Sequence, residues 1–391
     1  MKLWSPWDAA HFNDPYEMYA RLRTEDPVHR SQTGEWIITR YEHVRDVLKD
    51  NRFITGNRLE WIKRGIAHLH NHELDFHAIA QAMCGFMLFL NPPQHTRIRK
   101  FMHAVWTERE IEPQIRMNAR EILSRLPKQF DVVKDIAQVL PALTMSRILG
   151  ISPNDYHYLK NLALQLIKGL DLYITIKDLV TIHSASVKFI EYFRTIIREN
   201  NMAESGLLKK IIQSSENTPD LLSENELISL CIFLFTAGEE TTSSLIGTGT
   251  RNLLHHAGNS PITNWDAAID ELLRYESPVQ LLGRIAQEDV EVGGQLISKN
   301  STVTLCLGAA NRDPEIFESP NQLNLLRNHN RHMAFGSGIH FCMGDWLARL
   351  QGKIALEELL NTYPNLKPNG QVKWTRHLSI RSLSTFPVRA D

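Results

Sequence analysis

The run Phe335-Gly336-Ser337-Gly338-Ile339-His340-Phe341-Cys342-Met343-Gly344 places one thiol in a loop with three glycines. Glycine permits a tight loop whose backbone approaches something flat or bulky. A helix is expected from near Asp345, so a thiolate at Cys342 sits close to a helix amino terminus, which favours the charged form. Backbone N–H groups of such a loop donate to sulfur and tune a bound metal. The pattern Phe-x-x-Gly-x-His-x-Cys-x-Gly has five fixed positions. Average residue usage puts its chance occurrence in a chain this long on the order of 10⁻⁵ to 10⁻⁴. Two other readings of the loop are a plain turn around a buried cysteine and a zinc site from His332, His340 and Cys342. The latter lacks a fourth ligand nearby.

A second constellation is Ala237-Gly238-Glu239-Glu240-Thr241-Thr242. Two acids before two threonines are unusual on an apolar helix. A threonine hydroxyl can bond back to a backbone carbonyl and bend the helix. The glycine leaves room for a small ligand such as dioxygen, or it is a packing notch. A third is Glu271-Leu272-Leu273-Arg274, whose i, i+3 spacing puts both charges on one helix face.

The elements that must hold these groups are mostly helical. Helices are expected over 15–24, 41–49, 107–126 and 135–149. Another has Val187, Ile190, Phe193 and Ile197 on its apolar face. The longest begins at Ser223, where Ser223 and Glu226 have capping-box spacing. It runs towards His255, roughly 48 Å at 1.5 Å per residue. It is apolar nearly all round in its first half and should run through the protein centre, with Gly238 as a local weak point. Short strands are expected at 35–39, 303–305 and 378–380, with a hairpin at 290–297 around Gly293-Gly294. The fold class is mainly α with a minor β-sheet portion.

The chain has 391 residues, 43% hydrophobic and 22% charged, with 43 basic and 44 acidic side chains and a net charge of −1. No basic excess exists to hold a polyanion, so nucleic-acid binding is disfavoured. The four cysteines are scattered without a CxxC pair, which fits a reducing compartment. No signal peptide or membrane-spanning stretch is evident, so a cytoplasmic protein without a membrane anchor is expected. Cys84, Cys231 and Cys306 lie in apolar surroundings and read as buried packing residues. His68, His70, His72 and His77 cluster, but their spacing does not converge on a metal.

The cysteine loop, the Glu-x-x-Arg pair and the threonine motif follow one another as in the cytochrome P-450 superfamily. The chain resembles that family over about residues 12 to 390. The stretches Ala310-Asn311-Arg312-Asp313-Pro314 and Asn330-Arg331-His332-Met333-Ala334-Phe335 resemble family segments too. The resemblance implies one catalytic domain over 1–391, with haem b held between the central long helix and the cysteine loop. It implies that Cys342 is the axial ligand of haem iron. Phe335 and Gly336 lie against the thiolate side of the porphyrin, and His340 helps hold a propionate. His95 and Arg99, four residues apart on a helix starting after Pro93, and Arg284 are further propionate candidates. Glu271 and Arg274 form a buried pair that locks the fold. Thr241 donates a hydrogen bond to dioxygen, and Glu240 relays protons from solvent. Substrate contact is expected at Met87, Leu88, Leu234, Ala237, Val279, Leu282 and Leu383, with the histidine-rich segment 68–77 in the variable loop over the haem. The segment 255–264 is several residues shorter than is usual in the family, which clips the helix normally found there.

The resemblance further implies a monomeric monooxygenase that inserts one atom of dioxygen into a small apolar or amphipathic substrate by hydroxylation or epoxidation. A secondary metabolite such as a polyketide fits the overall similarity. Electrons come from a ferredoxin or flavodoxin with its NAD(P)H-dependent reductase. Arg97, Lys100, Arg349 and Lys353 are candidates for a basic docking patch. Two other functions share much of this pattern: a haem-thiolate peroxygenase or rearranging enzyme that does not use dioxygen, and a non-enzymatic haem carrier or sensor.

Overall fold

The computed structural model describes residues 3–4, 8, 12–56, 76–106, 111–172, 174–216, 221–256 and 262–390, apart from the side chains of Phe76, Cys84 and His256. The principal helices are α1 (Tyr16–Glu25), α2 (Tyr41–Lys49), α3 (Gln94–Val105), α4 (Glu112–Ser124), α5 (Leu140–Leu149) and α6 (Tyr156–Leu166). They continue with α7 (Ile176–Arg198), α8 (Leu207–Glu216), α9 (Glu224–His256), α10 (Trp265–Tyr275) and α11 (Asp345–Thr362). The strands are β1 (Val28–Arg30), β2 (Trp36–Ile38), β3 (Phe53–Ile54), β4 (Gln129–Asp131), β5 (Leu281–Ala286) and β6 (Val290–Val292). After them come β7 (Gln295–Ile297), β8 (Thr302–Cys306), β9 (Lys367–Pro368), β10 (Lys373–Trp374), β11 (Leu383–Thr385) and β12 (Pro387–Arg389). The histidines at 68, 70 and 72 and residues 257–261 of the 255–264 segment lie outside the described residues.

Contacts divide the chain into two compact units. One comprises Met1–Ile54, Ala119–Ala137 and Thr241–Asp391; the other comprises Thr55–Asn118 and Gln138–Glu240. The first holds the sheets. Five strands pair in the order β1-β2-β8-β5-β3. β2 and β8 run parallel and the other pairs antiparallel. The apolar side chains of this sheet and of α2 form one core that includes Val44, Val47, Phe53, Val303, Leu305 and Phe317. Beside it, α9, α10 and α11 bury Leu245, Leu253, Ile269, Leu272, Leu273 and Leu356. A Cβ on Gly352 would lie 2.6 Å from a Leu245 methyl, so glycine is what lets α11 approach α9.

The second unit is helical. In α7, Thr175 and Asp178 form a reciprocal capping box. Its buried face is Leu179, Ile182, Ser186, Phe189, Ile190, Phe193 and Ile196. This corrects the sequence expectation by a fraction of a turn. Val187 is 43% exposed, because the stripe follows the 3.6-residue period through Phe189 and Phe193 rather than through the β-branched residue beside them. Phe189 meets Phe235 of α9 at 6.3 Å between ring centroids, and Phe86 meets Phe233 at 5.2 Å.

The capping box at the start of α9 is present: Ser223 N–H donates to Glu226 Oε2 at 2.9 Å, and Glu226 N–H to Ser223 Oγ at 3.3 Å. The helix then runs through Gly238 without a break. Two expectations are corrected. The helix expected at 135–149 is preceded by a wide helical turn at Val132–Ala137 and starts as α5 at Leu140, where Pro141 in the first turn needs no N–H partner. The strand expected at 378–380 is only a bridge, Val279 to Ile380, and the true strand is β11. Ile380 N–H turns to His377 Nδ1 instead of a neighbouring strand, so no ladder can extend there.

The corrected α7 face gives a direct contrast. Phe193→Ala should cost about 3–5 kcal/mol of stability, and Val187→Ala should stay within about 0.5 kcal/mol. Chemical denaturation of the two variants checks this.

Candidate active site

The Glu271–Arg274 pair is fully buried and bidentate, with Arg274 Nε and Nη2 each 2.8 Å from a Glu271 oxygen. The remaining lone pairs of Glu271 are also taken. Asn324 N–H donates at 2.9 Å, Arg327 Nε at 2.9 Å and Asn330 Nδ2 at 3.1 Å. Arg274 in turn donates to the carbonyls of Asn311, Pro320 and Gln322. Arg327 was not expected from the sequence. It lies in an irregular segment without periodicity, so no spacing signal points to it. The 310–314 stretch is an equally dense knot. Asn311 donates to Ser277 Oγ and accepts from Met333 N–H, while Asp313 Oδ2 accepts from Tyr41 N–H. Arg312 lies over the rings of Tyr16 and Tyr275, at 3.4 and 4.1 Å.

These bonds lead straight into the cysteine loop. His332 accepts from Ala334 N–H through Nδ1 and meets Asp270 through Nε2, each at 3.2 Å. Cys342 N–H donates to Phe335 O at 3.1 Å, which closes the loop on itself. Gly336 and Gly338 have φ of +71° and +72°. A Cβ on Gly338 would lie 2.3 Å from the Leu48 carbonyl oxygen, so the loop passes over the end of α2 with no room for a side chain. Cys342 is half-buried, and α11 begins three residues later with Gly344 as its cap. The thiol lies where a helix amino terminus favours negative charge. Cys231 and Cys306 are buried, and burial pushes both thiols up, Cys231 to about 12, as packing cysteines require.

Arg284 lies in β5, opposite Val303 of β8. It is 4% exposed and donates to the Gly283 carbonyl, yet no carboxylate among the described residues pairs with it. Burial lowers its pKa to about 10. A buried guanidinium without a counter-charge is costly, so the residue fits an acidic group brought by a ligand. With a half-buried thiol in a glycine-rich loop of the same unit, the residues present fit a haem with its propionates. In the second unit, His95 and Arg99 face the same side of α3 as expected. Burial, and then Arg99, lower the His95 pKa. His340 is partly exposed in a short helical turn, Gly338–His340.

On α9, Glu239 and Glu240 are buried, whereas Thr241 and Ala237 are partly exposed. Gly238 has a packing role: a Cβ there would lie 2.7 Å from Met145 Sδ on α5. Of the residues expected to touch substrate, Met87, Leu88, Leu234 and Ala237 belong to the second unit. Val279, Leu282 and Leu383 belong to the first. Val279 and Leu282 are partly buried against the sheet core, and Leu383 is buried in β11.

The basic docking patch is corrected. Arg97 is paired with Glu226 and the Leu221 carbonyl. Arg349 bonds Asp270 and Asp345 and covers the Phe335 ring at 4.4 Å. Lys353 meets Asp266 at 2.9 Å. Three of the four cations are thus neutralised locally, by acids that helix spacing alone did not disclose.

Two variants test this geometry. Gly338→Ala should lose about 1–2 kcal/mol from backbone conformation alone, and more from the contact with Leu48, read as a lower thermal midpoint and weaker haem retention. Arg327→Leu, which takes one charged donor from Glu271 and leaves Arg274 in place, should cost about 1.5–3 kcal/mol. A midpoint within about 1 °C of the parent for Arg327→Leu would contradict its place in the network.

Comparison with known proteins agrees with this geometry. Residues 260–386 match the family model described as Cytochrome P-450. The polyketide biosynthesis cytochrome P-450 PksS of Bacillus subtilis is 32% identical, over 99% of this chain and 98% of its own. The 6-deoxyerythronolide B hydroxylase of Saccharopolyspora erythraea is 30% identical, over 97% and 96%. The solved structure of P450BioI, in complex with an acyl carrier protein carrying hexadec-9Z-enoic acid, superposes with a TM-score of 0.89 at 29% identity, over 98% of this chain and 99% of that one. Whole-length relatives at this identity, the helical fold and the thiol loop make the chain a member of the cytochrome P-450 family, a haem-thiolate monooxygenase.

Proposed function

We propose that this enzyme inserts one oxygen atom from dioxygen into a small apolar or amphipathic metabolite, by hydroxylation or epoxidation, in secondary metabolism of the polyketide kind. The observation that carries the reading is a half-buried thiol at a helix start, in the same unit as a buried arginine without a carboxylate partner. Relatives named for polyketide biosynthesis and for hydroxylation of 6-deoxyerythronolide B support the substrate class. The two units together serve one catalytic domain over 1–391, as whole-length similarity suggests. The enzyme works in the cytoplasm as a monomer, and no helix among the described residues is long and apolar enough to cross a membrane.

The residues divide the task. Cys342, as thiolate, ligates the iron of haem b, with Phe335 and Gly336 against that face. Arg284, His340, His95 and Arg99 bind the propionates, each charge-assisted bond contributing about 1.5–3 kcal/mol. When bound, haem supplies reductive activation of dioxygen, to which the thiolate contributes electron density. Glu240 holds a proton inside the protein and passes it to the Thr241 hydroxyl, which donates it where oxygen is cleaved. Ala237, Leu234, Met87, Leu88, Val279, Leu282 and Leu383 orient the substrate and exclude water. A ferredoxin or flavodoxin with its NAD(P)H-dependent reductase delivers electrons, without the basic patch first expected.

Two experiments test the reading. The reduced, carbon monoxide-bound protein should absorb at the long wavelength of a thiolate-ligated haem. A histidine-type spectrum in well-folded protein would remove Cys342 from its role. Thr241→Ala should lower product per reducing equivalent by about tenfold or more, with peroxide accumulating instead, while the ferric spectrum is unchanged.

A further inference from the structure

Glu239 has no part in the chemistry above, yet it is fully buried in the middle of α9. Neither of its carboxyl oxygens has a hydrogen-bond partner among the described residues. Three residues earlier, and so on the same side of the helix, the Thr236 hydroxyl is 1% exposed and also without a partner. Leaving a buried polar group unsatisfied costs about 1–3 kcal/mol. Three such atoms on one side of one helix are a place for ordered water, which meets such needs inside proteins. Glycine cannot contribute there, because Gly238 between them is closed off by Met145.

The charges around Glu239 set its state. Burial and then the Glu240 carboxyl raise its pKa well above the usual range. Lys160 of α6 is the cation acting on it from a neighbouring element, and it opposes the shift without reversing it. A carboxyl that cannot ionise cheaply, next to one that must cycle its proton, is a store of protons.

We propose that Glu239 is a protonated carboxylic acid that holds water together with Thr236 and restores the proton of Glu240 each time Glu240 releases one. The O–H bond of Glu239 breaks as an O–H bond forms on the Glu240 carboxylate, directly or through one water. The Glu239 carboxylate then takes a proton from solvent along the held water. No electron moves, and the single negative charge passes from Glu240 to Glu239 and out. Glu239 acts through Glu240 and is in that sense a positioning residue. The inference rests on the relay reading of Glu240 and Thr241 above.

The test compares holoenzyme variants Glu239→Gln, Glu239→Asp and Glu240→Gln. Infrared spectra of the wild type at neutral pH should show a protonated-carboxyl C=O band that shifts in D2O and is absent from Glu239→Gln. Product per reducing equivalent should fall several-fold in Glu239→Gln. Wild-type coupling should decline as pH rises through the raised pKa of Glu239, because its proton is lost there. Glu239→Gln should lack that limb, and Glu239→Asp should restore it. The carbon monoxide spectrum should be the same in all three variants. An infrared band that survives in Glu239→Gln overturns the proposal. So does unchanged coupling and pH profile in Glu239→Gln or, if that variant does not fold, the absence of a protonated-carboxyl band from the wild type. If Glu240→Gln is nevertheless uncoupled, the role of Glu240 stands and only that of Glu239 falls. Wild-type coupling in Glu240→Gln overturns the relay reading itself.

Discussion

The Glu271 carboxylate is the point on which the cysteine loop hangs. Placing a carboxylate beyond reach of water costs several kcal/mol unless charge and hydrogen bonds compensate it. Here five donors do so, from Arg274, Asn324, Arg327 and Asn330. Three of those residues lie on the irregular chain between β8 and the loop, which has few regular backbone bonds of its own. That chain therefore holds its course because a buried charge requires it. Asn311, His332 and Asp270 continue the same network to Phe335, and Cys342 bonds back to the Phe335 carbonyl. Precise placement of one sulfur is thus the far end of a network centred on one acid.

Close packing sets the rest. Where glycine stands in a helix or at a crossing, it stands against a particular neighbour: Gly352 against Leu245, Gly238 against Met145, Gly338 against the Leu48 backbone. An added methyl would push on a side chain at the first two and on backbone at Gly338, where the chain itself would have to move. The glycine beside the relay pair is a case in point. Its sequence position suggested room for a small ligand, and the structure shows a methionine of α5 there. The neighbouring acid, Glu239, is the group whose surroundings lack polar partners. Burial acts on both ionisable groups: Arg284 is held without a carboxylate partner among the described residues, and the pKa of Glu239 is raised.

Much of this was legible without coordinates. The cysteine loop, the Glu-x-x-Arg pair, the capping box of the long helix, the hairpin around Gly293-Gly294 and the span of α2 are local patterns. Each depends on residues within about one or two turns of one another, so spacing alone defines them. They determined the fold class and the family, and they named the thiol proposed as ligand and the proposed acid–alcohol pair. Tertiary structure alone decided what distant segments supply. Arg327 joins Glu271 across 56 residues, and Arg97, Arg349 and Lys353 meet acids that pair the cations of an apparent docking patch locally. The apolar face of α7 follows its packing, and the burial of Glu239 without a hydrogen-bond partner among the described residues follows from segments remote in sequence. Ion pairing, burial and the pKa of a buried acid are properties of surroundings assembled from remote parts of the chain. That is why the sequence named the groups proposed to react, whereas the fold determined the surroundings that set their charges.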